Sequence, residues 1–269
     1  MDGAKNRSFG GTAKSDRMPV IFVGHGSPEN ALGQNEYNSA WAALGKRLPR
    51  PRAILCISAH WVIRNGTAVT AGDRPKTIHD FYGFPQELYA LEYPAPGSPG
   101  DAEYVRQAVR STKVNMDYEW GLDHGTWSVL LYMYPEADIP VLQLSLNYNH
   151  PLELFYSIGK DLASLRDQGF LVMGSGNLVH NLMVLRYGGS PYPWAEEFDR
   201  TVKECISSGD HTSLIRLTDI PYASTAHPST EHYLPLLPVL GAAGSDTPSF
   251  FNESIAMGSV SMRGVVFGL

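Results

Sequence analysis

Cysteine is scarce in this sequence of 269 residues, and long apolar runs are absent from it. The two cysteines, Cys56 and Cys205, lie far apart in apolar stretches, so we expect neither a disulfide framework nor a CxxC metal or redox site. No 18 consecutive apolar residues occur, and the N-terminus has no apolar segment typical of a secretory signal. These absences predict a cytoplasmic protein with no membrane partner.

Basic residues are also fewer than acidic ones. Lys and Arg number 21 against 27 Asp and Glu, which gives a net charge of −6, and like charges do not form blocks. A nucleic-acid partner is therefore not expected, and a small molecule is the expected ligand. A hydrophobic content of 43% is typical of a soluble globular protein, here a monomer or a small homo-oligomer.

Residues 1–17 differ in composition from the rest of the chain. They are polar and glycine-rich, with four basic and two acidic side chains, and have too little apolar surface to pack. We expect a disordered N-terminal extension over 1–17. No long polar linker and no internal repeat interrupts residues 18–269, so we expect one folded domain there.

After residue 18, short apolar segments alternate with segments of helical period. This pattern predicts an α/β fold in which helices cover both faces of a sheet. The predicted strands are 20–24, 53–58, 139–145, 170–174 and 260–267. The predicted helices are 36–48, 101–111, 152–168, 194–207 and 232–243.

Three histidines follow predicted strands. His25 in GHGS follows the first strand, His60 in SAHW the second, and His180 in GSGNLVHN a later one. Loops at the carboxyl ends of strands in an open α/β sheet line the ligand crevice, so these imidazoles should converge there. Because imidazole is a common ligand of zinc and iron, and no cysteine cluster competes, the pattern predicts a metal site.

Two further histidines have a functional and a structural interpretation each. His232, with Ser229 or Thr230 as the N-cap, is predicted at a helix start, facing either the crevice or solvent. His124 in GLDHGTW precedes an apolar helical segment and is either a positioned acid or base or a capping residue.

An aromatic-rich loop, TIHDFYGFP, contains His79, Phe81 and Tyr82. It is predicted either to form a wall for an aromatic substrate or to cover the edge of the sheet. Several enzyme templates are missing, namely GxGxxG, the P-loop, GxSxG and HExxH, which excludes the dinucleotide-binding, serine-hydrolase and zinc-protease interpretations.

Eight ordered segments after residue 18 resemble one known family, the extradiol ring-cleavage dioxygenases of the LigB type, in the branch of the 4,5-DOPA dioxygenases. The segments are GHGSPENAL, SAHW, TIHDFYGFP, YPAPGSP, GLDHGTW, YPEADIPVLQLS, GSGNLVHNL and EHYLPLLPVLGAAG. The resemblance implies a single catalytic α/β domain over 18–269, with a central, mixed and mostly parallel sheet flanked by helices.

The resemblance also implies a chemistry. His25, His60, His180 and His232 correspond to positions around a mononuclear metal, with the third ligand left open between His180 and His232. His124 and His180 are expected to act as base and acid, in an order that stays open, while a catechol such as L-DOPA undergoes 4,5-cleavage with O₂. Fe(II) is expected for turnover, with Zn(II) as a metal that the isolated protein could hold.

The substrate is expected to contact Ser27, His79, Phe81 and Tyr82. A carboxylate on the substrate would need a cation near the crevice, and no spacing rule chooses among the candidates Arg64, Arg74, Lys76 and Arg186.

Two alternatives from other functional classes remain at this point. One is a zinc-dependent hydrolase on the same scaffold, in which imidazole-bound zinc activates a water. The other is a non-catalytic binding protein similar to the Memo proteins.

Overall fold

The fold is built on a six-stranded mixed sheet. The structure is a computed structural model that describes residues 17–269. The expected disordered extension, apart from Arg17, lies outside the described residues. The strands are β1 (Val20–Gly24), β2 (Ala53–Ser58), β3 (Val62–Ile63), β4 (Thr67–Thr70), β5 (Val114–Asp117), β6 (Val141–Gln143), β7 (Leu146–Asn147), β8 (Phe170–Gly176), β9 (Pro248–Phe251), β10 (Ile255–Ala256), β11 (Val260–Ser261) and β12 (Gly264–Phe267).

Helices connect most of these strands. They are α1 (Glu36–Arg47), α2 (Gln86–Tyr89), α3 (Pro99–Ala108), α4 (His124–Met133), α5 (Leu152–Arg166), α6 (Pro193–Ser208), α7 (His211–Ile215), α8 (Ala223–Ala226) and α9 (Leu236–Ala243). Short 3₁₀ turns occur at Pro28–Ala31, Leu182–Val184 and Leu217–Asp219. None of the helices between residues 17 and 269 is long and apolar enough to cross a membrane.

The strand order in the main sheet is β6-β2-β8-β1-β12-β9. The first four strands are mutually parallel, and β12 and β9 are antiparallel to their neighbours. This arrangement confirms the predicted α/β class with a mixed, mostly parallel sheet. Every residue of β1, β2 and β8 is buried, because helices cover both faces and leave no solvated side for polar alternation.

The two faces of the sheet have separate cores. Val20 and Phe22 of β1 pack into one core with residues of α3, α5, α6 and α9. Ile21 and Val23, which point to the opposite face, pack with α1 and α4 through Trp41 and Trp127. The alternation follows from the two-residue period of a strand. The sheet is therefore fixed from both sides, which holds its carboxyl edge in place.

The structure corrects several predicted boundaries. The strand predicted over 139–145 is limited to Val141–Gln143, and the one over 260–267 divides into β11, which pairs with β10, and β12, which pairs with β1 and β9. The helix predicted from residue 232 begins only at Leu236, after Pro235 as its N-cap. His232 thus lies in the preceding turn rather than on a helix.

Candidate metal centre

Five histidines line one cavity of about 220 Å³ at the carboxyl edge of the parallel strands. His25, His60 and His180 follow β1, β2 and β8, which are neighbours in the order β2-β8-β1. His124 is the first residue of α4, and His232 reaches the cavity from the turn before α9. The predicted convergence of strand-end imidazoles is therefore present in the structure.

His25 and His60 point ring nitrogens at each other, with their Nε2 atoms 3.1 Å apart. The Ser175 hydroxyl donates to the carbonyl oxygen of Gly125, so its oxygen must accept the hydrogen bond of 2.9 Å from His25 Nδ1. This places the proton of neutral His25 on Nδ1 and a lone pair on Nε2. The tautomer of His25 is thus set by the hydrogen-bond network around it.

His60 has a similar constraint on its outer nitrogen. Its Nδ1 lies 3.2 Å from Oδ2 of Asp80, an acceptor that favours a proton on Nδ1. Both Nε2 atoms then present lone pairs to each other, a repulsive contact that a shared cation would relieve. In metal-binding histidines, one ring nitrogen binds the metal, while the other is usually held by a hydrogen bond to an oxygen acceptor such as a hydroxyl or a carboxylate. The donor set therefore fits a metal ion.

Asp80 joins two of the histidines. Its Oδ1 lies 3.0 Å from Nδ1 of His124 and accepts a hydrogen bond of 2.9 Å from the backbone N–H of the same residue. Burial raises the pKa of Asp80, but the contacts with His124 and His60 outweigh that effect and hold the pKa well below its usual value. The carboxylate is ionised and offsets positive charge in the cluster. The sequence places Asp80 in the aromatic-rich loop TIHDFYGFP but gives no sign of this contact with two histidines.

A buried polar network fixes the start of α4 and with it His124. The Asp123 side chain caps the helix by accepting from the backbone N–H of Thr126. Ser58 Oγ donates to Asp123 Oδ1 over 2.7 Å, and Gln143 Nε2 donates to Oδ2 over 2.6 Å. Because Ser58 and Gln143 lie on β2 and β6, His124 is tied to the sheet.

One ring nitrogen from each of His25, His60 and His124 lies within 4.8 Å of the others. His180 and His232 stack on each other at 3.4 Å, and the ring centre of His232 lies 5.3 Å from that of His25 and 5.0 Å from that of His60. The tightest group therefore includes His124, for which we expected a role in proton transfer.

Three of these imidazoles, those of His25, His180 and His232, are held neutral. Burial, followed by the neighbouring histidines, lowers the pKa of His25 and His232 well below the usual value. The same two causes lower the pKa of His180 to about 3. Histidine binds a metal ion only when unprotonated, so the cluster is prepared for ligation at neutral pH.

The residues expected to contact a substrate divide into two groups. Ser27 and Phe81 line the cavity. His79 lies behind Phe81, with Nε2 2.9 Å from the carbonyl oxygen of Leu91, and Tyr82 is 93% exposed outside the cavity. Phe84, from the same aromatic-rich loop as Phe81, also lines the cavity. Unforeseen lining residues include Glu29 and four apolar or aromatic side chains, namely Leu182, Leu185, Tyr187 and Met257. They come from separate loops, which no sequence spacing connects.

Comparisons with known proteins identify the family of this chain. Residues 18–268 match a family described as the catalytic LigB subunit of aromatic ring-opening dioxygenase. The chain is 47% identical over 261 residues to the 4,5-DOPA dioxygenase extradiol of Escherichia coli K12, covering 94% of this chain and 96% of the relative. It is 36% identical over 241 residues to the protein of the same name from Beta vulgaris, covering 85% and 88%.

A solved structure is also similar. A crystal structure of an uncharacterized protein from Escherichia coli K12 superposes with a TM-score of 0.82 at 43% identity, over 93% of this chain and 100% of that one.

Proposed function

Because this chain belongs to the LigB family of aromatic ring-opening dioxygenases, we propose that it opens a catechol such as L-DOPA by extradiol 4,5-cleavage with O₂ at one histidine-bound metal. The observation that carries the proposal is the pair of Nε2 lone pairs on His25 and His60, which Ser175 and Asp80 direct at each other.

We assign the metal to His25, His60 and His232. The ring centre of His232 lies 5.3 Å from that of His25 and 5.0 Å from that of His60, which favours His232 over His180 as the third ligand. His124, whose Nδ1 faces Asp80, keeps the role in proton transfer. Fe(II) bound there would supply the redox chemistry that O₂ activation needs, which Zn(II) cannot supply.

The protein's own side chains then bind the substrate and move its protons. Phe81 and Phe84 line the cavity and pack edge to face at 5.4 Å, which offers an apolar wall to an aromatic ring. His124 takes a proton from a catechol hydroxyl, and Asp80 stabilises the imidazolium that forms. His180 lines the same cavity and is the group we assign to the second proton transfer, back to an oxygen of the opening ring.

The test is anaerobic reconstitution of metal-stripped protein with Fe(II) or Zn(II), followed by L-DOPA and air. We expect a yellow ring-opened product and one O₂ consumed per substrate with Fe(II) only. His25→Ala and His60→Ala should remove both the bound metal and the activity. His211→Ala, a substitution on α7 outside the cavity, is the control for folding and metal content.

Two results would contradict the proposal. Ring cleavage that survives in folded His25→Ala and His60→Ala proteins would show that the cluster is not the reaction centre. Hydrolytic turnover of an ester or amide by the Zn(II) protein without O₂, with no catechol cleavage by the Fe(II) protein, would favour the hydrolase alternative.

A further inference from the structure

The cavity that holds the histidine cluster has one permanent charge on its walls, and that charge is negative. Among residues 17–269, Glu29 is the single acidic residue that lines the cavity, and neither lysine nor arginine lines it. Apart from a metal ion held by the histidines, Glu29 is therefore the one charged group on these walls that the side chain of a substrate meets, and it favours an ammonium group over a carboxylate.

Glu29 lies close in the sequence to His25, one of the proposed metal ligands. It follows His25 by four residues, and the segment between them is held by its own hydrogen bonds. The Ser27 hydroxyl lies 3.3 Å from Glu29 Oε2 and accepts from the backbone N–H of Glu29, while Asn30 Nδ2 donates to the carbonyl oxygen of His25 over 3.0 Å. Because His25 and Glu29 line the same cavity, a substrate held there can meet both side chains.

The candidate cations for a substrate carboxylate do not line the cavity, although the chain neighbours of Arg186, Leu185 and Tyr187, do. The Arg186 guanidinium stacks on Tyr192, with Cζ 4.1 Å from the ring centre, and the Arg64 guanidinium lies over Tyr148 at 5.7 Å. Arg74 and Lys76 do not line the cavity either. None of the four candidates that the sequence left open for a substrate carboxylate therefore lines the cavity.

On the premise of the ring-opening function, we propose that Glu29 is a specificity-determining residue that binds a protonated amine on the substrate side chain. The enzyme would then select catechols that carry an ammonium group over catechols that carry only a carboxylate. In L-DOPA, which has both groups, the ammonium faces Glu29 and the carboxylate faces solvent at the cavity mouth.

The test compares three catechols that differ in side-chain charge: dopamine, which is cationic, 4-methylcatechol, which is neutral, and 3,4-dihydroxyphenylacetate, which is anionic. For the Fe(II)-loaded enzyme we expect kcat/KM to fall in that order. Glu29→Gln should lower the dopamine to 4-methylcatechol ratio of kcat/KM about fivefold, the upper end of the scale for an exposed ion pair. Glu29→Lys should invert the preference between dopamine and 3,4-dihydroxyphenylacetate.

Glu36→Gln is the matched control, since it removes the same charge from an exposed position on α1 that does not line the cavity. It should leave the three substrates in their wild-type order. If Glu29→Gln and Glu36→Gln have the same effect, the inference is wrong.

A binding measurement separates this inference from the proposed function. Dopamine is titrated into the anaerobic Fe(II) protein and followed by calorimetry, which requires no turnover. Weaker dopamine binding in Glu29→Gln supports amine recognition even if no catechol is opened in air. Equal affinity of wild type and Glu29→Gln for dopamine overturns it even if all three catechols are opened.

Discussion

Ser175 on β8 and His25 after β1 are joined across the sheet by a hydrogen bond of 2.9 Å, and this bond sets which nitrogen of His25 faces the cavity. Ser175→Ala would leave the buried Nδ1–H without an acceptor, so the ring could rotate or change tautomer. We expect metal affinity to fall about 10- to 100-fold, as measured by competition with a chromogenic chelator for Zn(II).

Ser164→Ala, on the exposed side of α5, is the control for that measurement and should keep wild-type affinity. Unchanged Zn(II) affinity in a folded Ser175→Ala protein would show that the hydroxyl does not orient His25.

Asp80 is expected to act through His60 and His124 rather than on the substrate. Asp80→Asn removes the negative charge that both imidazoles face while it keeps the side-chain volume. We expect kcat for L-DOPA to fall at least 100-fold, the scale of a lost general base, and metal affinity to fall as well.

The control for Asp80→Asn is Asp73→Asn, an exposed position that precedes the aromatic loop. If kcat and metal affinity in Asp80→Asn remain within twofold of those in Asp73→Asn, the pairing of Asp80 with the histidines has no catalytic importance.

The sequence alone was sufficient for the positions of His25, His60 and His180, because parallel strands end at one edge of a sheet and each histidine follows a strand. The roles of Ser175 and Asp80 could not be predicted in the same way. The Ser175 contact depends on the pairing of β1 with β8, in which Val23 lies opposite Ser175, and the position of Asp80 depends on a loop without regular structure.

The aromatic loop shows a second limit of sequence reasoning. His79, Phe81 and Tyr82 share the composition of a substrate wall, but only Phe81 reaches the cavity. Which side chains of an irregular loop point inward depends on its backbone path and on neighbours such as Trp127, which contacts His79. Glu29 was missed for a similar reason, since a lone carboxylate in a polar turn has no distinguishing pattern.

Helices α5 and α9 pack with their backbones in close approach at Gly159. A Cβ on Gly159 would overlap the carbonyl oxygen of Pro238, so Gly159→Ala must push the two helices apart. We expect a loss of about 1–3 kcal/mol in the free energy of unfolding, measured by urea denaturation.

Substitution of Gly100 by alanine should change the free energy of unfolding in the opposite direction. Gly100 lies in the first turn of α3, and a Cβ there would meet open space. Gly100→Ala is expected to stabilise the protein by about 0.4–1 kcal/mol through the unfolded chain. Equal effects at the two glycines would contradict the close approach of α5 and α9.

His227 allows a prediction of how the stability of the protein depends on pH. This prediction does not require a metal ion in the histidine cluster. Its Nε2 lies 2.8 Å from the carbonyl oxygen of Leu178, and burial lowers its pKa to about 4, against an ordinary value of 6.5. Between pH 6.5 and 4 the unfolded chain therefore binds a proton at this position that the folded protein does not. The free energy of unfolding must fall as the pH falls through that window, by up to about 3 kcal/mol from this one group.

His227→Gln tests this directly, because Gln retains an N–H donor for the Leu178 carbonyl but does not titrate. Urea denaturation of metal-free protein at several pH values from 7 to 4 gives the slope of the unfolding free energy for both proteins. The variant should lose less stability on acidification, although the cluster histidines still contribute to its slope. Parallel slopes for wild type and His227→Gln would mean that His227 is protonated in the folded protein as readily as in the unfolded chain.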